Sequence, residues 1–270
     1  MKYDIAIITV TKDKLDPECL PSVRRLLAAP DLKVQFVLID NASTSFDAHA
    51  LVEKELPGAI IILRNKNFGM GRSSNRGAAE VEADYYFFLN PDTIIRDEKL
   101  LHRLRDFLLA CPAAGMVAPR ICYPDGRAQE TCRRFPKWYS PLAQRTSWLP
   151  VAVAEKHRQD FLMEDYDHQK VRIVDWVQGS AFMISRQFFE ELGGFDERFF
   201  MYYEDVDLCR RAWEKHRPVY YLPEVTLFHG YGKGSAVTGG LINGLIKNKM
   251  ARAHISSWIK YTIKWLGKKI

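Results

Sequence analysis

Five short apolar runs lie between residues 4 and 121: Asp4–Val10, Val34–Ile39, Ala59–Leu63, Tyr85–Leu89 and Met116–Ile121. They are continuous rather than alternating, so strands made from them must bury both faces. The segments between them carry helical spacing. In Pro17–Ala29, Val23, Leu26 and Leu27 share one face, and Ala48–Glu55, Ser73–Val81 and Glu98–Ala110 read as further helices. This alternation predicts an α/β, Rossmann-like chain with a mostly parallel sheet flanked by helices. Ligands of such sheets bind at the carboxyl ends of the strands. Thr11, Asp40, Asn90 and Asp92 all collect there.

The second half is less regular. Residues 123–172 are rich in Arg, Pro and aromatics, and Arg133-Arg-Phe-Pro-Lys-Trp138 reads as part of a ligand-covering loop region. Val174–Ser185 returns to strand, Arg186–Leu192 is a short helix stopped by Gly193-Gly194, and another helix runs to about His216. The last thirty residues predict a basic amphipathic helix. Ile255, Trp258, Ile259, Thr262 and Leu266 follow one stripe, and Lys260, Lys264 and Lys268 share another face. Such a helix suits a membrane interface. Packing on its own domain and serving a homodimer are the alternatives. The expected division is a domain at 1–236 and a helical tail at 237–270.

Among the 270 residues no run approaches the roughly 20 apolar residues that a membrane span needs. The first apolar run reads as a strand, not a signal-peptide core, which makes a cytoplasmic protein the expectation. Cys19, Cys111, Cys122, Cys132 and Cys209 include no CxxC, which suits free thiols in a reducing compartment; Cys122 and Cys132 as a pair or as metal ligands is the alternative. The net charge of +6 is local. Beyond Glu224 there is no acidic residue, while Lys233, Lys247, Lys249, Arg252, Lys260, Lys264, Lys268 and Lys269 are all basic. That argues against a general nucleic-acid surface and for a local anionic partner.

Four motifs carry chemistry. In Met201-Tyr-Tyr-Glu-Asp-Val-Asp-Leu-Cys-Arg210, the carboxylates Glu204, Asp205 and Asp207 crowd into four positions. Ionising all three is costly without a cation or an exchangeable proton nearby, and a carboxylate there acquires the raised pKa of a general base. Asn90-Pro-Asp92 follows an aromatic strand, and Pro91 holds its carboxylate in a turn. Asn67-Phe-Gly-Met-Gly-Arg-Ser-Ser-Asn-Arg-Gly77 precedes a helix and lets backbone approach an anion, although it fits neither the dinucleotide pattern nor the P-loop. His229-Gly-Tyr-Gly-Lys-Gly-Ser235 offers an imidazole, Lys233 and Ser235. Asp92 and His229 together could hold Mn²⁺ or Mg²⁺, and Lys233 and Ser235 the same diphosphate. Each motif has a plain structural reading when taken singly.

As an ordered set the motifs resemble the family-2 inverting glycosyltransferases of the GT-A fold, in their rhamnosyltransferase-like branch. The matching residues are Val10-Thr11, Asp40-Asn-Ala-Ser43, the Asn67–Gly77 segment, Leu89-Asn-Pro-Asp92, Trp176-Val-Gln-Gly179, Gly193-Gly-Phe-Asp196, Glu204–Arg210 and His229 with Lys233 to Ser235. The resemblance implies that Thr11 and Asp40 serve the nucleoside, and that Asn67, Gly71, Arg72 and Asn90 flank the nucleotide and sugar. It implies that Trp176 and Gly179 shape the donor-sugar and acceptor pocket. Asp92 and His229 would be the metal ligands. Asp205 would be the base, with Glu204 as its close competitor. It further implies a dTDP- or UDP-sugar donor, L-rhamnose as the transferred sugar, and a glycan or polyprenyl-linked acceptor for cell-surface polysaccharide, met at the inner face of the membrane. Lys12-Asp13 departs from the tyrosine-asparagine that often follows Val-Thr. A sugar-phosphate nucleotidyltransferase and a non-catalytic membrane adaptor on the same fold are the competing readings. The first lacks its lysine-bearing Gly-rich N-terminal signature here, and the second does not account for Asp92, Asp205 and His229.

Overall fold

The computed structural model describes residues 2–140, 150–230 and 248–268. In chain order the first half comprises β1 (Tyr3–Thr11), α1 (Cys19–Leu27), β2 (Val34–Asp40), α2 (Ala48–Glu55), β3 (Ile60–Leu63), α3 (Met70–Ala79) and β4 (Ala83–Leu89). Then come β5 (Thr93–Ile94), α4 (Leu100–Ala110), β6 (Met116–Cys122), β7 (Cys132–Arg133), α5 (Val151–Leu162), β8 (Arg172–Val174), β9 (Trp176–Val177) and β10 (Ala181–Ser185). The chain continues through α6 (Arg186–Glu191), α7 (Glu204–Glu214), β11 (Val219–His229) and α8 (Lys249–Trp265).

The main sheet runs β3-β2-β1-β4-β10-β6-β11-β5, with β8 on β11. Strands β1 to β4 are mutually parallel, as are β6 and β11, while β10 runs antiparallel between β4 and β6. The mostly parallel sheet expected from the apolar runs is therefore present. Side chains alternate across a strand. Ile5 and Ile7 enter the layer containing Leu20 and Val23 of α1 and Leu104 of α4. Ala6, Ile8 and Val10 enter the opposite layer, with Ala78 of α3, Phe189 of α6 and Val206 of α7. Burial on both faces is why the strand sequence is uninterrupted. On the second face α3 lies so close that a Cβ on Gly77 would sit 2.5 Å from Ile39 Cδ1.

Four expectations change. The region 123–172 is not only loop: it holds β7 and α5, and β7 pairs with β9 in a separate two-stranded sheet. The single strand expected over Val174–Ser185 is divided into β8, β9 and β10, because Trp176 and Val177 leave the main sheet to pair with β7. Strand β11 was not signalled. Its run Val219-Tyr-Tyr-Leu-Pro-Glu-Val-Thr-Leu-Phe-His229 is interrupted by Pro223 and Glu224, where the register with β6 shifts. The fourth concerns the tail. The Ile255-to-Leu266 stripe, expected to meet a membrane or a partner, leaves Ile259 and Leu266 47% and 75% exposed, so the alternative in which it packs on its own domain does not hold for these two. The buried positions are instead Ala251, Ser257, Tyr261 and Trp265. Tyr and Trp bury aromatic surface while their polar tips find partners. Lys264 is not on a free basic face: it binds Asp196 and Asp207. The expected domain boundary at 236/237 lies outside the described residues. All five cysteines are free thiols.

Phe87 is fully buried in β4 at the centre of the sheet. Phe87→Ala should cost about 3–5 kcal/mol, measured as a lowered urea midpoint with an unchanged slope.

Candidate active site

The site forms where the strands end. Strand β5 pairs antiparallel with the end of β11, His229 against Thr93. This brings His229 Nε2 within 2.9 Å of Asp92 Oδ1, across 137 residues of sequence. Both side chains are buried. Lys14 Nζ binds the other Asp92 oxygen at 2.5 Å. Burial opposes ionisation of Asp92, but His229 and Lys14 overcome it and hold the carboxyl below its ordinary range.

The imidazole orientation is set from behind. Gln129 Nε2 donates to the His229 carbonyl at 2.8 Å, which turns Gln129 Oε1 toward His229 Nδ1 at 3.2 Å. An amide oxygen only accepts, so Nδ1 carries the proton. Nε2 then either holds a second proton for Asp92 or offers its lone pair to a cation. A carboxylate oxygen and an imidazole nitrogen oriented from behind fit a divalent cation such as Mn²⁺ or Mg²⁺. No third His, Cys, Asp or Glu joins them among the described residues. The remaining positions of such an ion would fall to diphosphate oxygens and water.

The cleft floor runs from this pair to the acidic cluster. Asn90 N–H donates to the Ser180 carbonyl at 2.9 Å, and Asn90 Nδ2 lies 3.4 Å from Ser180 Oγ. Next to Ser180, Gly179 N–H donates to Asp205 Oδ2 at 2.9 Å. Asp205 Oδ1 accepts from Val206 N–H at 2.8 Å. A Cβ on Gly179 would lie 3.4 Å from Asp205 Cβ, an ordinary van der Waals contact. Asn90, Asp92, Trp176, Gly179, Glu204 and Asp205 all line one cavity of about 450 Å³.

The three clustered carboxylates have different surroundings, although α7 offers all of them the positive end of its dipole. Asp207 is fully buried and accepts from Arg211, Lys264 and Trp265. It faces away from the cavity. Asp205 opens on the cavity; burial raises its pKa, and its two backbone hydrogen bonds restrain that rise. Glu204 is raised well above the ordinary carboxyl range by burial and then by the neighbouring Asp205, and its Oε2 has no hydrogen-bond partner. Glu204 and Asp205 both line the cavity with raised pKa values, and Asp205 is the one whose carboxylate is held by two backbone N–H groups.

The other residues expected to bind nucleotide lie on a neighbouring strip. Thr11 Oγ1 donates to the Lys14 carbonyl at 2.5 Å, and Asp40 accepts from the Ser43 backbone and hydroxyl. Asn67 Oδ1 accepts from Gly69 N–H at 2.8 Å. Arg72 pairs with Glu197 at 3.3 Å and lies 5.0 Å from the Phe68 ring centroid. None of these four lines the 450 Å³ cavity. Gly71 lines a smaller adjoining hollow with Asn90, Gly179 and Asp205. Lys233 and Ser235 lie outside the described residues.

Several cavity residues carried no sequence signal: Lys14, Ser180, and Met250 and His254 of α8. The tail did hold a second helical stripe, Met250, His254, Ser257, Tyr261 and Trp265. Ranking by hydrophobicity favours the isoleucine stripe over it.

A mostly parallel α/β sheet with this constellation at its strand ends is the GT-A architecture. The chain belongs to glycosyl transferase family 2, whose sequence pattern matches residues 5–193. It is 29% identical over 232 residues to N-acetylglucosaminyl-diphospho-decaprenol L-rhamnosyltransferase of Mycobacterium tuberculosis (strain ATCC 25618 / H37Rv), covering 77% of this chain and 72% of that one. It is 25% identical over 173 residues to rhamnosyltransferase WbbL of Escherichia coli (strain K12), covering 60% and 61%. Among solved structures, S. aureus TarS superposes with a TM-score of 0.59 at 14% identity, over 84% of this chain and 37% of that chain. A shorter TarS chain in complex with UDP gives a TM-score of 0.55 at 13% identity, over 86% and 61%.

A carboxyl whose folded pKa lies above its ordinary 4.5 destabilises the fold once it ionises. That cost is absent below the unfolded pKa and grows as pH rises toward the folded one. Glu204→Gln should therefore raise the Tm at about pH 7.5 and leave it nearly unchanged at about pH 4, read by thermal melts across pH.

Proposed function

We propose that this family-2 glycosyltransferase is an inverting enzyme that moves L-rhamnose from a nucleoside-diphosphate donor, dTDP- or UDP-linked, to a hydroxyl of a lipid-linked glycan. The observation that carries the reading is Asp205, held by two backbone N–H groups at the floor of a cavity that also contains Asp92. The sugar and the acceptor class are supported by the names of the relatives, two of which are L-rhamnosyl- or rhamnosyltransferases and one of which acts on a diphospho-decaprenol intermediate. UDP in the TarS complex supports a pyrimidine nucleotide.

Inversion is a single displacement. The acceptor oxygen bonds to the anomeric carbon as the bond from that carbon to the diphosphate oxygen breaks. Asp205 takes the acceptor hydroxyl proton as general base. Its raised pKa makes it a better proton acceptor than an ordinary carboxylate. Asp92 and His229 would hold Mn²⁺ or Mg²⁺, which neutralises charge on the departing diphosphate. Lys14, already on Asp92, adds positive charge beside the same position. Thr11, Asp40, Asn67, Gly71 and Arg72 form the nucleotide side, with Lys233 and Ser235 assigned to the diphosphate by resemblance. Trp176 and Arg133 line the cavity with ring centroid and guanidinium carbon 5.3 Å apart, an aromatic and cationic surface for saccharide.

Among the described residues no helix is long and apolar enough to cross a membrane. Ile259, Ile263 and Leu266 form an exposed stripe along α8. We assign it to peripheral contact with the inner face of the cell membrane, where a polyprenyl-linked acceptor resides. Copies of the chain binding one another through this stripe would instead appear as a homodimer without detergent.

Asp205→Asn should lower transfer by about 10²–10⁴-fold while dTDP or UDP still raises the Tm. Near wild-type turnover would remove Asp205 as the base. With wild type, the nucleotide shift should grow when Mn²⁺ is added, following RT ln(1 + [L]/Kd). Asp92→Asn should abolish that metal-dependent part. Liposome flotation lost in Ile259→Asp/Ile263→Asp checks the membrane face.

A further inference from the structure

Immediately before α7, Tyr202 and Tyr203 both adopt left-handed backbone, with φ of 66° and 67°. For bulky residues this is a high-energy conformation, and it persists only where surrounding structure over-determines it. Asp205 follows two residues later, so the direction of its carboxylate depends on this turn.

Helix α8 supplies several contacts to the turn. His254 packs on Tyr202 with ring centroids 5.0 Å apart and on Tyr203 at 5.4 Å. Tyr261 packs on Tyr203 at 5.2 Å. Ser257 Oγ donates to the Met201 carbonyl at 2.8 Å. From the other side, Met70 N–H donates to the Phe200 carbonyl at 3.0 Å.

Helix α8 is in turn fixed by a buried charge cluster. Lys264 Nζ lies 2.6 Å from Asp207 Oδ1 and 2.7 Å from Asp196 Oδ2. Trp265 Nε1 donates to Asp207 Oδ1 at 2.9 Å, and Arg211 Nε donates to Asp207 Oδ2 at 2.8 Å. Asp207 is 0% exposed. Arg210 adds a bond to the Tyr261 hydroxyl at 3.2 Å. Removing one partner of a buried pair leaves an uncompensated charge, so the cluster favours one docked arrangement.

We propose that α8 is a latch for the catalytic base: Asp207 and Lys264 lock α8 onto α7, and the locked helix holds the Tyr202–Tyr203 turn from which Asp205 reaches the cavity. Asp207 and Lys264 are thus positioning residues, and the third carboxylate of the acidic cluster serves the tail instead of the reaction. Because Met250 and His254 line the cavity, the same latch forms part of its wall. The inference rests on the reading of Asp205 as the base, but its structural half does not need that reading.

The test compares wild type, Lys264→Met, Lys264→Arg and Trp265→Phe. Backbone hydrogen exchange is followed over 201–208, over α8, and over β1 as an internal control. Turnover is measured with donor KM. In Lys264→Met, exchange over 201–208 should rise about tenfold or more with β1 unchanged. Its kcat should fall at least about tenfold with donor KM held within about twofold. Lys264→Arg should restore most of both, because a cation returns to the cluster. If Lys264→Met does not fold, Trp265→Phe carries the same readings with a smaller effect, since it removes the indole hydrogen bond and part of the buried ring but leaves Lys264 on Asp207. Loosening confined to α8, with 201–208 still protected, overturns the latch. So does an unchanged kcat in a variant whose turn exchanges freely. Failure of the base assignment is separate: it appears as turnover surviving in Asp205→Asn, and the exchange result still decides whether α8 holds the turn.

Discussion

Ala181 pairs with Leu89 where β10 runs antiparallel beside β4, and just beyond this pair Asn90 N–H donates to the Ser180 carbonyl at 2.9 Å. This register decides where the rest of the cleft lies. Strand β4 delivers Asn90 and Asp92 at the end of the parallel half of the sheet. Strand β10 starts from Gly179 and Ser180, and Gly179 holds Asp205. A slip of one residue would reverse every side chain of β10 between the two cores. It would also separate Gly179 from the carboxylate that its N–H group binds. The antiparallel strand therefore joins the Asp92–His229 end of the cleft to Asp205.

The acidic turn shows how one local cluster is divided by its surroundings. Glu204, Asp205 and Asp207 share a helix N-terminus, yet they end in three environments. Asp207 is neutralised by Lys264 and Arg211 and sealed from solvent. Asp205 receives two backbone N–H groups and faces the cavity. Glu204 has a buried oxygen without a hydrogen-bond partner and is driven toward its neutral form by burial and by Asp205. Proximity in sequence made all three candidates. Solvation and partners separate them, because a charge in a low-dielectric setting is stable only with compensating donors.

The tail has two faces with different chemistry. Its inner face is aromatic and polar, and uses hydroxyl, indole and ammonium groups to bind α7 and the preceding turn. Its outer face carries Ile259, Ile263 and Leu266. An inner face of this kind explains why a helix beyond the matched family segment is coupled to the acidic turn.

Most of the fold was legible because its signal is local. Continuous apolar runs marked β1 to β4 and β6, since burial on both faces leaves no polar positions in the strand. Helix α2 was read to its ends, and of the four residues expected at the strand ends Asn90 and Asp92 line the main cavity while Thr11 and Asp40 do not. Strand β11 escaped notice because Pro223 and Glu224 break its pattern, and β7 because a two-residue strand has no period to read; β9 was read only as part of a longer strand. The amphipathic tail was visible, but not which stripe it buries. That choice depends on Asp207, 58 residues away from Trp265. Likewise the His229–Asp92 contact spans 137 residues and the Gly179–Asp205 bond spans 26. The sequence by itself determined the layered α/β sheet and the residue types at its strand ends, since hydrophobic periodicity acts over a few residues. Only the tertiary structure decided which carboxylate receives two backbone N–H groups beside the cleft, which one anchors the tail, and which imidazole nitrogen meets Asp92. Those outcomes depend on burial and hydrogen-bond partners brought from distant parts of the chain.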